Sequence, residues 1–238
     1  MNLLLSTAYI PPIEYFAAMA AGFELPPLSV DAAPKPAVVY LEACENYQKQ
    51  SWRTRCNFMS ANGIASISVP VLRENNTHKL PVTEIKPDYG TPWVRQHETA
   101  IFSAYGTSAY FEYYEDEFFA ILEREYDSLF ALNKAIIEFF IRKTGICIDL
   151  KETDDFRKSG GICDDVLWNG LPYEEVTESC DMREYIHPKR PNNIMSRLCL
   201  EKPYFQVFSN KFGLISGLSI MDLLFNEGPD SIMYLRSL

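Results

Sequence analysis

Hydrophobic positions change their period several times along the chain. "LLL" at residues 3–5 is a short unbroken apolar run which, with Ser6, reads as a buried strand. Pro11 and Pro12 interrupt it. Ile13 to Ala21 then regains the apolar density of a helix, entered where missing N–H groups cost little. "PAVVYLEA" (36–43) is β-branched and apolar, and reads as a second buried strand. "GIASISVPV" (63–71) alternates Ile64, Ser66 and Ser68 against Ala65, Ile67 and Val69, with a turn signal at Asn62-Gly63 before it. "KLPVTEIKPDY" (79–89) has strand composition cut by prolines, which places it at a sheet edge.

From Thr91 the period lengthens to that of a helix. Thr91 is the expected N-cap with Pro92 at the first helical position, and the helix should end before Gly106. A second helix is expected over about 115–123 and a third over about 129–143, capped by Asp127 or Ser128. In the third, Leu129, Leu132, Ile136, Phe139 and Phe140 share a face, Arg142 and Lys143 occupy the last turn, and Gly145 is the stop. "ICIDL" (146–150) reads as a short strand. Residues 151–203 are polar and weakly periodic, and a short helix is expected there without a fixed position. "LSIMDLLFNEGP" (218–229) reads as an apolar helix capped by Ser219 and ended by Gly228-Pro229. With no repeat or linker, the pattern implies one compact domain over 1–238. Its class is α/β or α+β, a mixed sheet with a central group of helices.

Composition changes the picture little, but charge narrows it. The 238 residues are 47% hydrophobic and 23% charged, enough for a substantial core. A formal net charge of −10 argues against general binding of nucleic acid or anionic membrane. The opening lacks Lys or Arg before its apolar run and so reads as strand and helix, not as a leader, and no other run is long enough to span a bilayer. The six cysteines form no C-x-x-C pair; several lie in apolar runs, as reduced thiols of a cytoplasmic protein would, although three disulfides remain the alternative. Three histidines offer no multi-histidine metal site, and no cofactor is identified. Phosphate-loop, dinucleotide and G-x-S-x-G signatures are absent, "GLISG" (213–217) carrying its serine one place late.

Against that acidic background "ENYQKQSWRTRC" (45–56) concentrates cations and rings. An extended chain would align Tyr47, Lys49, Ser51, Arg53 and Arg55; a helix would instead gather Lys49, Trp52, Arg53 and Cys56. Either geometry suits an anionic or sugar ligand, with guanidinium forks on phosphate and ring faces on a sugar or base. A solvated basic face with Trp52 half buried is the plainer alternative. In "WVRQHETAIFSAY" (93–105), His97 falls on the inward stripe, either as a hydrogen-bonded core residue or as a catalytic group, and Arg95 points elsewhere. "REYIHPKRP" (183–191) sets His187, Lys189 and Arg190 in a proline-bracketed loop, solvated or functional. The ring-rich "AYFEYYEDEFFAIL" (109–122) reads as helix packing.

Taken in order, "AYIPPIEYF", "YQKQSWRTR", "SVPV" and "WVRQHETAIFSAYGTSAYFEYY" resemble the WbqC-like family. The closing "PYFQVF" and "LSIMDLLFNEGPDSIMYL" look like its Bacteroidetes-type branch. Tyr9, Pro11, Tyr15 and Phe16 match the family's opening pattern, Lys49, Trp52 and Arg55 its central pattern, and His97 its helical histidine. The resemblance implies a cytoplasmic protein of cell-surface polysaccharide synthesis, O-antigen or capsule, with acyl or aminoacyl transfer onto a nucleotide-linked sugar as a conceivable reaction. Many members carry His-Gln-Pro before the tyrosine-proline run, where this chain has Ser6-Thr7-Ala8.

Two functional expectations follow. In the first, a transferase holds an anionic phosphate with Lys49, Arg53 and Arg55, stacks a ring on Tyr9, Tyr47 or Trp52, and uses His97 or His187 as general base, with Arg95 and Lys189 as further ligand contacts. In the second, a non-catalytic module binds a polysaccharide intermediate or scaffolds its enzymes. The oligomeric state is not legible.

Overall fold

The computed structural model describes residues 2–21, 37–72, 79–157 and 179–236. Four strands form a parallel sheet: β1 (Asn2–Ser6), β2 (Ala37–Glu42), β5 (Ile148–Glu152) and β6 (Ser179–Asp181), in the order β5-β2-β1-β6. Leu3 stands opposite Val39 on one side and Cys180 on the other, and Leu5 opposite Leu41. These side chains are all buried, because a parallel sheet is covered on both faces and its inner strands read as continuous apolar runs. β3 (Arg55–Ser60) and β4 (Gly63–Ser68) form a separate antiparallel hairpin. Its turn ends at Gly63, whose φ of 105° favours glycine. Ile64, Ser66 and Ser68 are exposed on its outer face, as their alternation predicts.

The helices pack beside these sheets. α1 (Ile13–Ala21) leaves β1 and buries nearly every side chain. α2 (Trp93–Tyr105), α3 (Phe111–Glu123) and α4 (Leu129–Thr144) follow the hairpin, and α5 (Ile194–Arg197), α6 (Ser209–Phe212), α7 (Ile220–Glu227) and α8 (Ser231–Leu235) close the chain. Phe118 of α3 joins them, its ring 5.4 Å from those of Phe139 and Phe140 and 6.1 Å from that of Phe225 on α7. In the ring-rich 109–122 stretch Phe111 and Phe118 are core packing, Tyr114 and Phe119 pack against the core, and Tyr113 is exposed.

The α/β class is observed, with parallel and antiparallel pairings in two separate sheets. Three local expectations are corrected. Residues 79–89 form turns joined to the body by isolated bridges at Pro81 and Pro87, since prolines cannot donate to a ladder. Thr91 donates its hydroxyl to the Asp88 carbonyl at 3.1 Å and leaves α2 without a side-chain cap. α3 starts at Phe111, not near 115. The stretch 45–56 is neither strand nor helix up to Thr54: it turns, with Gln50 at φ 57°, and enters β3 only at Arg55. Cys163 lies outside the described residues, and no disulfide joins the five described cysteines. No described helix is long and apolar enough to cross a membrane.

Candidate functional site

The carboxyl ends of the four parallel strands carry a buried polar layer. β1 runs into Ser6, Thr7 and Ala8, β2 ends at Glu42, β5 is followed by Thr153, and β6 ends at Asp181 with Arg183 just beyond. From β1 the chain proceeds to β2 and then β5 on one side, and returns as β6 on the other. The boundary between β1 and β6 is thus the point where the direction of winding reverses, and open α/β sheets take their ligands outside the strand ends at such a point.

Two arginines organise this layer. Arg53 grips Glu45, Nε donating to Oε1 at 3.0 Å and Nη2 to Oε2 at 2.5 Å, while Nη2 also reaches Ser6 Oγ at 2.9 Å and Nη1 reaches Gln48 Oε1 at 3.2 Å. Arg183 holds Asp181 with Nε and Nη2, at 3.0 and 2.7 Å, and extends Nη1 to Glu42 Oε2 at 2.8 Å. Glu42, fully buried, also accepts from the Thr153 hydroxyl at 2.6 Å and the Cys44 amide at 3.1 Å. Burial pushes the Glu45 carboxyl upward although Arg53 opposes the shift. The layer therefore holds two guanidinium groups against three carboxylates. Of the cations at 45–56, Arg53 neutralises buried acid: it is committed to Glu45 and not to an external phosphate.

Between β1 and β6 a narrow crevice remains, lined by Ser6, Thr7, Trp52, Arg53, Arg183 and His187 among others. Its volume is about 10 Å³, room for one water molecule. The Oγ1 of Thr7 is sealed from solvent beside it and has no hydrogen-bond partner. The wall at 51–53 is fixed: the Tyr9 amide donates to the Trp52 carbonyl at 2.8 Å, and Asn133 Nδ2 of α4 to the Arg53 carbonyl at 2.8 Å. His187 Nδ1 accepts the Lys189 amide at 3.2 Å, which leaves the proton on Nε2 in the neutral ring. Burial, Arg190, Arg53 and Lys189 hold its pKa below the ordinary histidine value.

The other expected residues scatter. Tyr9 and His97 are buried together, the phenol oxygen 2.8 Å from Nδ1, away from the crevice lining. Burial lowers the His97 pKa to about 4, and the Ser68 backbone supplies a second hydrogen-bond partner, so it is a neutral, satisfied core histidine. Tyr47 is buried in the core. Lys49 is exposed on a turn and Arg55 half buried on β3, so Lys49, Arg53 and Arg55 do not form one clamp. Arg95 is exposed on α2 beside a shallow groove with Gln96, Thr99 and Ser103. Lys189 Nζ bonds Gln50 Oε1, which brings the 48–50 turn to the rim of the crevice.

Thr7, Glu42, Glu45, Asp181 and Arg183 were not among the sequence candidates. Glu42 had one available signal, a carboxylate closing the apolar strand "VVYLE". Thr7 had none. No group of three or more His, Cys, Asp or Glu suited to a metal ion occurs among the described residues.

The sequence is similar to known proteins. The WbqC-like protein family model matches residues 7–234. "Uncharacterized protein Rv1507c" of Mycobacterium tuberculosis is 26% identical over 198 residues, covering 80% of this chain and 84% of that protein. No solved structure matches. Since the matched span covers nearly the whole chain, from Thr7 into α8, the chain belongs to the WbqC-like protein family.

Proposed function

We propose that this protein binds a sugar-containing precursor of cell-surface polysaccharide in the β1–β6 crevice and serves a group-transfer step on it. A nucleotide-linked sugar that accepts an acyl or aminoacyl group fits this reading. The observation that carries it is the orphaned Thr7 hydroxyl at the winding reversal. A buried hydroxyl without a partner costs about 1–3 kcal/mol, and such groups persist where something else completes them. A ligand oxygen in the one-water niche satisfies Thr7, and the remainder of the ligand extends outward over Trp52. The saturated arginines act as rigid supports that keep Ser6 and the 51–53 wall in place. The exposed Lys49 and Lys189 at the rim serve the anionic part of the ligand.

His187 is cast as a donor, not as a base. Its Nδ1 is occupied, so Nε2–H can stabilise negative charge developing on a substrate oxygen. This departs from the general-base role expected from sequence. The same observation favours a second reading: with no free base among the described residues of the crevice, the protein binds its sugar without transforming it. Incubation with nucleotide-sugars and acyl-CoA donors, followed by mass spectrometry, separates the two. Transfer by wild type that falls at least tenfold in kcat in His187→Ala, with KM little changed, supports the enzyme. Binding without any transfer supports the module.

A further inference from the structure

A second cavity opens beside the first turn of α1, and it shares no lining residue with the crevice. It measures about 380 Å³ and is lined by residues of α1, the 192–202 segment, the 214–217 loop and α8. That volume lies within the roughly 300–1,000 Å³ of small-molecule sites, whereas the crevice admits one water. In its wall stands Glu14, in the first turn of α1, whose Oε2 is sealed from solvent without a partner. Burial pushes its carboxyl above the ordinary range.

Part of the lining is aromatic and fixed. The Tyr204 and Tyr234 rings meet edge-on, 5.0 Å apart at 72°. Tyr204 donates its hydroxyl to the buried Asp222 Oδ2 at 2.5 Å and accepts from Gln206 Nε2 at 2.9 Å. Tyr234 donates to the Leu200 carbonyl at 2.8 Å. Both phenols are thus spoken for, and what they present to the cavity is ring surface held by hydrogen bonds behind it. Lys202 Nζ lies 5.9 Å from the Tyr234 ring centre and keeps the rim polar.

We propose that this cavity is a binding site for a hydroxylated ring of monosaccharide size, whose hydroxyl or amino donors pair with Glu14 while its apolar face lies against Tyr204 and Tyr234. A carboxylate with one oxygen left without a partner, a fixed aromatic wall and a volume suited to one ring are the three requirements of such a ligand, and they occur together here. An ammonium group adds a charge-assisted bond, so an amino sugar is favoured over its neutral analogue. The site is separate from the crevice, and its test does not depend on the crevice's role.

The test is a titration by ligand-observed NMR with D-glucosamine and D-glucose, using wild type, Glu14→Gln, Leu214→Trp and Thr7→Val. Leu214 is exposed at the cavity mouth, so a tryptophan there obstructs entry without entering the core. The expected result is saturable binding of glucosamine, tighter than that of glucose, weakened at least tenfold in Glu14→Gln and in Leu214→Trp, and unchanged in Thr7→Val. Glu14→Gln should melt no lower than wild type, because it removes a carboxyl whose charged form burial disfavours. The proposal is overturned if wild type binds neither sugar up to about 50 mM. It is equally overturned if binding survives in both cavity variants, or if glucosamine binding is lost in Thr7→Val alone.

Discussion

At the scale of single residues, the buried Arg53–Glu45 pair is the sharpest dependency. Arg53→Met strands Glu45 in a low-dielectric site, and the expected loss is about 3–5 kcal/mol. Arg53→Met with Glu45→Leu removes both charges and should recover most of that loss; urea unfolding of the single and double variants reads the difference directly. Two other buried groups make stability depend on pH in opposite directions. His97 titrates at about 4 when folded, against 6.5 for the free group. The unfolded chain gains its proton first as pH falls, so the neutral histidine's contribution is complete above pH 6.5 and declines, by roughly 3 kcal/mol in all, toward pH 4. Asp222 is raised from 3.8 to about 6, chiefly by burial. Its contribution is complete below pH 3.8 and is lost as pH rises to about 6. The stability gap between wild type and His97→Gln should therefore shrink from pH 7 to about pH 4.5. A gap that stays constant would show that His97 does not titrate as its burial requires. Asp222→Asn should gain on wild type over the rise from pH 4 to about pH 6.

At the scale of elements, the ends of the helices explain why some of the fold was legible and some was not. α4 is capped by Ser128, whose hydroxyl accepts the Ala131 amide at 3.1 Å, and stopped by Gly145 at φ 74°. Ser219 caps α7 in the same way through the Met221 amide at 3.1 Å. Such signals are local, so the sequence carries them. Ser128→Ala should lower stability by about 1 kcal/mol, measured by thermal unfolding. Gly228→Ala should be far worse. The added Cβ would fall 2.4 Å from the Tyr110 ring at a φ of 55°, and loss of cooperative unfolding is the expected outcome. β6, three residues long, and β3 were not legible because their partners define them: β6 exists as the second ladder on β1. The 79–89 segment misled for the opposite reason, strand-like composition with prolines at the positions where a ladder needs N–H groups.

At the scale of the whole molecule, the candidate site is assembled from residues far apart in the chain. Arg53 was visible as a cation and Glu45 lies in the same turn-rich stretch, but Ser6 becomes its neighbour only when β1 and the 45–54 turns converge. His187 enters from beyond β6, and Thr7 gains significance only because the sheet reverses its winding beside it. Tyr9 and His97, which matched the family pattern, proved to be a core pair. Legibility thus fell with distance in sequence: helices and strands were read from neighbours, and the crevice needed the tertiary fold.

The most direct test of the account is a calorimetric titration of a nucleotide-sugar panel into wild type and Thr7→Val. Valine keeps the shape of threonine and removes only the unpartnered hydroxyl, so stability should hold or rise. The account predicts one-site binding by wild type and about tenfold weaker binding, roughly 1.4 kcal/mol, in the variant. Equal affinity in the two proteins, or no binding by wild type across the panel, would contradict a ligand site at the β1–β6 crevice.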